Sequence, residues 1–468
     1  MTRIVWFKND LRTVDQPAFE AAMATTDDVK AVYFFTTQTF KEHDWAPIKV
    51  DLLWRHLAAF SQELAAKGVP LQVQVIDSFT DVPQALADFC RRHGAKQVFA
   101  NREYPLHERR RDKNVKARLS YDEVSLELYD GVVIVPPECV KTQSHHYYQK
   151  FTPFNRAWRD YVSQAVDWQQ KQYSGREAVS APALPDCPLT RKDSSAWVVG
   201  EQQVLGKLGQ YIGHSVSTYK KLRDIPYEDA TSRLSPYWEL GMLSPKTAAR
   251  GLQQFSPEFP HGLPPGPDTW LTEIAWREFY QHLMFHEDKL SRGNSFIEMG
   301  DDIRWRDNEE DFRRWCEGRT GYPIVDAGMR QLLHEGYMHN RLRMIVANFL
   351  VKDLLLDWRW GEKHFMTHLI DGSFPANNGG WQWSASVGTD AVPYFRVFNP
   401  ITQSKKFDPE GDYIRKWVKE LKAVPAKYIH WPHEQLTGNE LNGYPQPMVD
   451  HQDARKRFLE TFKQVKNG

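Results

Sequence analysis

The sequence is short of features that mark several large classes of protein. Its four cysteines, Cys90, Cys139, Cys187 and Cys316, are scattered with no CxxC, so neither a disulfide framework nor a metal site is expected. The loop after the first strand run, Lys8-Asn9-Asp10-Leu11-Arg12, has no glycine. The GxGxxG that cradles a dinucleotide pyrophosphate is therefore absent there, which disfavours a nicotinamide enzyme. No stretch approaches about 18 consecutive apolar residues, and Met1-Thr2-Arg3 runs straight into an apolar strand without a signal-peptide core. No membrane partner is expected, and the cytoplasm is the expected location. Net charge is missing too, because 60 basic residues balance 60 acidic ones. No polyanion partner is advertised, although a local basic groove is compatible with that balance. There is no internal repeat, low-complexity tract or long charged tail.

What is present is indole. Of 17 tryptophans, 11 lie at or after Trp238, so the second half of the chain uses them. At 468 residues two or three domains are expected. Short β-branched or aromatic runs at Ile4–Phe7, Val29–Phe35, Leu71–Ile76, Gln97–Ala100 and Val124–Leu128 alternate with helix-length patterns such as Lys49–Lys67 and Val82–His93. That alternation predicts a parallel, Rossmann-like α/β domain over residues 1–135. A proline-dotted connection follows over 136–196, with a helix around Phe154–Val166. From 197 to 468 the patterns are helical: Glu201–Leu222, Ser244–Phe255, Trp270–His286, Glu309–Glu317, Tyr322–Glu335, Asn340–Trp358 and Gly361–Leu369. The expected fold class is thus α/β + α, with a long linker and an all-helical C-terminal domain.

One stretch fits no regular element. Asp371-Gly-Ser-Phe-Pro-Ala-Asn-Asn-Gly-Gly-Trp-Gln-Trp383 sets two adjacent amides beside two adjacent glycines and two indoles. Glycines let backbone approach a flat ligand, amides address a heterocycle's edge, and indoles pack on rings. The alternative is a Gly-Gly turn between helices with tryptophan as core filler. Two other constellations carry chemistry. Thr231-Ser232-Arg233-Leu234-Ser235 offers hydroxyls and backbone N–H groups to a diphosphate, or is an ordinary N-cap. Trp270, Glu273 and Arg277 fall at i, i+3 and i+7, one stripe of a helix with Trp276 on its shoulder; the alternative is an amphipathic helix with a surface Glu-Arg pair.

Together with Val5-Trp6-Phe7-Lys8-Asn9-Asp10-Leu11-Arg12, Trp276-Arg277-Glu278-Phe279-Tyr280, Gly321–Ala327, His339-Asn340-Arg341-Leu342-Arg343-Met344 and Tyr444-Pro445-Gln446-Pro447, these blocks run through essentially the whole chain. In that order they resemble the photolyase/cryptochrome flavoproteins, and among them the class I cyclobutane pyrimidine dimer photolyases. The resemblance implies a helical domain that binds FAD, reduced in the active form. Tyr219, Thr231, Ser232, Arg233, Leu234 and Ser235 are implied at its phosphates. Trp270, Arg277, Asn340, Arg343, Asp371 and Asn377 are implied around the rest, with Arg343 pairing Asp371 and Asn377 facing flavin N5. It places Glu273, Trp276 and Met344 on the lesion, and Trp381, Trp358 and Trp305 as a chain that re-reduces flavin from the surface. Arg223, Arg277, Arg341 and Arg396 are implied at DNA phosphates. His43, Glu108 and Arg292 are implied at an antenna, with 5,10-methenyltetrahydrofolate ahead of a deazaflavin or none; Arg292 stands for a usual lysine and His107 for a usual asparagine. No metal is implied, and a monomer is expected. Ser373 replaces a usual aspartate and Phe374-Pro375 a usual Leu-Ala, which puts the local flavin contacts in question.

The implied function is light-driven repair of pyrimidine dimers in UV-damaged DNA, the lesion flipped out of the duplex. Lacking histidine at 340 and 344, the chain departs from the (6-4) enzymes. A blue-light sensor and a DASH-type enzyme for single-stranded lesions are the rivals.

Overall fold

The structure is a computed structural model describing residues 2–25, 28–171 and 176–467. Met1, residues 172–175 of the expected linker, and Gly468 lie outside the described residues. By its internal contacts the chain forms two compact units. The first comprises Met1–Lys220, Ser232–Ser291 and Asp371–Pro375; the second comprises Lys221–Thr231, Arg292–Ile370 and Ala376–Gly468.

In the first unit, strands β1 (Thr2–Phe7), β2 (Asp28–Thr36), β3 (Leu71–Ile76), β4 (Ala95–Asn101) and β5 (Ser125–Tyr129) form one parallel sheet in the order β3-β2-β1-β4-β5. Helices α1 (Pro17–Met23), α2 (Pro47–Ala66), α3 (Val82–His93) and α4 (Leu106–Ser120) connect them. The β-branched and aromatic runs of β1 and β2 are almost wholly buried, as parallel strands covered on both faces must be. Proline opens α2 and α3, and α3 ends on Gly94 at φ 59°, a left-handed cap that glycine adopts without strain. Strand order reverses between β1 and β4, the place where an α/β sheet opens a crevice. Here it is filled: Lys8 donates to Asp112 at 2.7 Å, Asn101 to Asp10 at 2.7 Å, and Arg111 to Glu103 at 2.8 Å. Three carboxylates at this point are the wrong charge for a pyrophosphate.

Arg12, 2% exposed, donates to the carbonyls of Gly131 and Gly241 at 2.6 and 3.1 Å. Gly241 sits at φ 65°, where a Cβ would lie 2.1 Å from the Asn9 carbonyl oxygen; only glycine fits. The first loop is thus a knot tying three distant segments.

Beyond the sheet, helices α5 (Phe151–Ala165), α6 (Glu201–His214) and α7 (Pro265–His286) belong to the first unit; α8 (Pro323–Glu335), α9 (Asn340–Asn348), α10 (Trp358–Met366) and α12 (His451–Asn467) belong to the second, as does α11 (Phe374–Ala385) from Ala376 onward. Three expectations need correction. The pattern Glu201–Leu222 breaks after His214. The expected single helix Asn340–Trp358 passes into a π-turn at Phe349–Asp353 and stops, with Leu355 at φ 55°. It stops because Arg306 pairs there, its N–H donating to the Leu355 carbonyl at 2.8 Å. The stretch thought foreign to any helix is one from Phe374 onward, with Pro375 in the first turn, where a missing N–H costs nothing. No helix among the described residues is long and apolar enough to cross a membrane.

Candidate functional site

In the first unit α7 carries the predicted stripe. Trp270 is 2% exposed and packs against Tyr211 and Trp238, with ring centroids 5.2 and 6.0 Å away. Glu273, Trp276 and Arg277 are half-buried on the same helix. One face of Trp276 is covered by Phe151 from α5, stacked at 3.6 Å and 8°, and Phe279 and Tyr280 lie 5.7 and 5.8 Å from the ring, so the half-buried indole is a braced platform. Arg277 donates to the Val132 carbonyl at 2.8 Å, and burial lowers its pKa. The neighbouring Glu278 is fully buried and accepts from Ile134 N, Val135 N and Trp158 Nε1 at 2.5, 3.2 and 2.6 Å. Burial pushes its pKa up to about 7. α7 is thereby stitched to the start of the connecting segment along its back.

The loop to Ser235 holds Arg233 at φ 48°, a left-handed backbone that a non-glycine residue keeps only when its surroundings dictate it. The Arg233 guanidinium lies over the Trp197 ring at 5.0 Å. Ser235 Oγ donates to Asp371 at 2.6 Å, joining this loop to the unusual stretch. Lys49 adds a tie that sequence reasoning missed: 1% exposed, it donates to the Gly372 carbonyl at 2.8 Å and to Glu239 at 2.7 Å, with Trp45 under its ammonium at 3.9 Å. A lysine on an amphipathic pattern reads as surface, so no local signal marked it. Tyr219 is buried and Ser232 half-buried.

At the expected antenna position, His43 Nδ1 is 3.7 Å from Glu108. Burial lowers the His43 pKa to about 4. Burial, then Glu103, raises Glu108 to about 7 against the opposing pull of Arg111. Glu108 Oε2 is buried with no hydrogen-bond partner, an acceptor left over once the protein's own bonds are counted.

In the second unit, Asn340 is exposed at the start of α9, while Arg343 and Met344 are half-buried one turn on. Arg343 Nε donates to the Met338 carbonyl at 2.8 Å. Arg341 pairs with Asp224 at 2.8 Å and lies over Phe407 at 4.3 Å. Arg223 is half-buried, and Arg292 and Arg396 are exposed.

Trp381 on α11 is 2% exposed, wedged against Phe365 at 4.9 Å and Trp315 at 6.0 Å. Its ring lies on α10 at Gly361, where a Cβ would sit 2.1 Å from Cη2. Trp358 starts the same helix, fully buried. The Arg306–Leu356 bridge brings half-buried Trp305 beside the strand of chain leading into Trp358. The indole N–H groups of Trp358 and Trp381 are buried and unpartnered. A Cβ at Gly380 would meet nothing within 4 Å, so crowding by protein does not require glycine there.

The residues fit a flavin's polar edge on one observation. Asn377 Nδ2 donates to the Glu362 carbonyl at 2.9 Å. That carbonyl can only accept, so the amide's orientation is fixed by chemistry and Oδ1 is the atom left to meet a donor.

The family model for the FAD binding domain of DNA photolyase matches residues 270–464, and that for DNA photolyase matches residues 3–172. The deoxyribodipyrimidine photo-lyase of Vibrio cholerae is 43% identical, covering 99% of this chain and 100% of its own. Among solved structures, a class III photolyase from Agrobacterium tumefaciens superposes with TM-score 0.86 at 35% identity, covering 100% of this chain and 98% of that one. An archaeal photolyase from Sulfolobus tokodaii with two FAD molecules gives TM-score 0.82 at 28% identity, covering 99% and 100%.

Proposed function

The chain belongs to the DNA photolyase family and repairs cyclobutane pyrimidine dimers in DNA with light and FAD; we propose that the residues described above are its working parts. When bound in its reduced form, FAD would supply the one-electron chemistry that dimer splitting needs. Tyr219, Thr231, Ser232, Arg233, Leu234 and Ser235 hold the diphosphate. Trp270, Arg277, Asn340, Arg343, Asp371 and Asn377 orient the remainder. Trp276, braced by Phe151, stacks on the flipped lesion, and Met344 is assigned to contact with it. Glu273 hydrogen-bonds the polar edge of the lesion. Trp305, Trp358 and Trp381 relay an electron inward from the surface. Residues 1–135 carry the antenna, 136–196 connect, and 197–468 bind FAD and DNA.

The observation that carries this reading is the Asn377 amide. With Nδ2 committed to a carbonyl, Oδ1 welcomes an N–H at flavin N5, present when the ring is reduced and absent when it is oxidised. An amide cannot deliver a proton, whereas an acid at this position could, so the reduced donor is favoured over a sensor's photocycle. Irradiating the reduced holoenzyme with a duplex oligonucleotide holding one thymine dimer should restore thymine absorbance. No recovery with FAD bound would hand the reading to the sensor.

Phosphate contacts are assigned to Arg223, Arg277, Arg341 and Arg396, so affinity falls with salt as counterions are released. Arg341 would exchange Asp224 for phosphate. A monomer in the cytoplasm completes the reading, in keeping with four free cysteines.

For the antenna we favour 5,10-methenyltetrahydrofolate at His43, Glu108 and Arg292. The spare oxygen of Glu108 suits the N–H edge of a pterin. Because burial holds its pKa near 7, the carboxylate needed for binding is lost below that pH. Folate affinity should be flat above pH 7.5 and fall by up to about tenfold per pH unit below 6.5. Glu108→Gln should weaken binding and abolish that slope. Titration followed by near-UV absorbance reads both, and a second FAD taken up without pH dependence would overturn the assignment.

A further inference from the structure

Residues 387–399 between α11 and the helix beginning at Pro400 form neither helix nor strand; backbone N–H groups of Val387, Gly388 and Val392 donate to the Gln382 and Trp383 carbonyls, and buried side chains add further ties. Two come from one turn of chain. Lys352, in the π-turn and fully buried, donates to Ser386 Oγ at 3.0 Å and to the Arg396 carbonyl at 3.0 Å. Asn348, four residues earlier and equally buried, accepts from Phe398 N at 2.9 Å. Between these anchors Tyr394 stacks flat on Phe462 of α12 at 4.8 Å, with Lys466 over its ring at 5.4 Å. At the outer edge Phe395 is 61% exposed, and Arg396 beside it is exposed as well.

An ammonium is among the costliest groups to bury, and an aliphatic side chain of the same length would fill this volume more cheaply. Lys352 has no carboxylate on its donors. Asp353, next along the chain, is bound instead by His451 at 2.5 Å, and the Lys352 stem lies against Phe458, with Nζ 5.3 Å from the ring. What a cation adds at this point is several N–H donors at one atom, and they reach acceptors at both ends of the segment. A π-turn at this place is in keeping, since such turns gather at functional positions.

We propose that Lys352 is a positioning residue for lesion recognition, fixing from inside the core the two ends of segment 386–396 and so the place from which Arg396 and Phe395 meet DNA. This rests on the reading of Arg396 as a phosphate contact. Holding Ser386 and the Arg396 carbonyl at one nitrogen removes the freedom that the segment would otherwise lose on binding.

The test compares Lys352→Met, Lys352→Gln, Arg396→Ala and the Lys352→Met/Arg396→Ala pair in FAD-loaded enzyme, by anisotropy with a dimer-containing duplex across a salt series. Lys352→Met should weaken binding about fivefold to tenfold and lower the salt slope by about one, as Arg396→Ala does. The pair should bind no worse than Arg396→Ala within about twofold, because both act on one contact. Lys352→Gln, which keeps a donor, should recover part of the affinity. Flavin absorbance should be unchanged throughout, and Lys352→Met and Lys352→Gln should keep the repair yield at saturating DNA. Binding by Lys352→Met equal to wild type, additive losses in the pair, or loss of flavin or of saturated repair yield would each overturn the proposal. If Arg396→Ala binds normally, the Arg396 reading fails by itself, and a weak Lys352→Met beside it marks Lys352 as core structure only. Should Lys352→Met not fold, Ser386→Ala decides: it removes one acceptor, and an unchanged affinity counts against the clamp.

Discussion

Alanine at position 361 is expected to slow photoreduction of the oxidised flavin by up to about 100-fold, the scale of loss when a reacting group is misplaced by about 1 Å. Within a regular helix, Gly→Ala should stabilise by about 1 kcal/mol, and α10 is regular at this point. The added Cβ, however, would stand 2.1, 2.4 and 2.6 Å from three ring carbons of Trp381. That ring cannot swing aside, because Phe365 and Trp315 hold its other sides. Overpacking of this kind costs about 1–3 kcal/mol, so net stability should fall slightly or stay level while the indole moves. The proposed relay has Trp381 as its innermost member, so displacement acts on electron delivery first. Repair by enzyme reduced chemically beforehand bypasses the relay and should persist. Photobleaching kinetics, dithionite-initiated repair and thermal melting separate the three effects. Photoreduction at the wild-type rate would show that Trp381 is not on the route.

The largest stability effect is expected from Glu278→Ala. The carboxylate satisfies two backbone N–H groups and an indole N–H in a fully buried place. Each buried donor stranded costs about 1–3 kcal/mol, and their sum puts the loss at roughly 3–5 kcal/mol after partial relaxation. The group's pKa in the folded protein, about 7, lies above its ordinary value of 4.5. Folding therefore takes up a proton between those values, and the stabilisation this group contributes is fully present below pH 4.5 and is lost as pH rises through 7. The gap between wild type and variant should accordingly be wider at pH 5.5 than at pH 8. Denaturant unfolding at the two values measures it, and an equal gap at both would mean that Glu278 is ionised throughout. Because Glu278 ties residues 134–135 and Trp158 to α7, loss of lesion affinity through a shifted Trp276 should accompany the loss of stability.

These two positions also show where sequence stops informing. Glu278 lies in a block whose resemblance was evident, yet nothing local said that it faces inward while Arg277 beside it reaches Val132. Gly361 sits in Trp-Arg-Trp-Gly, and a glycine inside a helical pattern is a signal of close packing, but the partner is twenty residues on. The strands were legible because parallel strands need unbroken β-branched and aromatic runs. Leu71–Ile76 and the helix Val82–His93 were read to the residue, the latter through its Gly94 cap. The unusual stretch was misread because low helix propensity was taken as decisive. Its helix is held by tertiary bonds from Asn377 and Asn378 to Glu362, and within the helix Gln382 donates to Asn378 one turn back. The end of the long Asn340 helix was invisible for a similar reason, since Arg306 imposes it from outside. The candidate site was legible through the order of its blocks more than through any one of them. Supporting residues such as Phe151, Lys49 and Lys352 belong to no block and are defined only by what they touch.

The passage of Asp371–Pro375 back into the first unit sets a timetable for synthesis. Lys49 emerges early, but the Gly372 carbonyl that it holds is made long after Ser291, the end of that unit's preceding segment. At about 5–20 residues per second the wait after Ser291 is roughly 4–16 s. Through that interval the nascent chain carries a lysine that lacks one of its native acceptors, and a chain released early would keep it so. Ribosome-bound chains stalled before residue 371 should therefore be more open to protease around α2 than chains stalled some forty residues after Pro375, when this strip has cleared the exit tunnel.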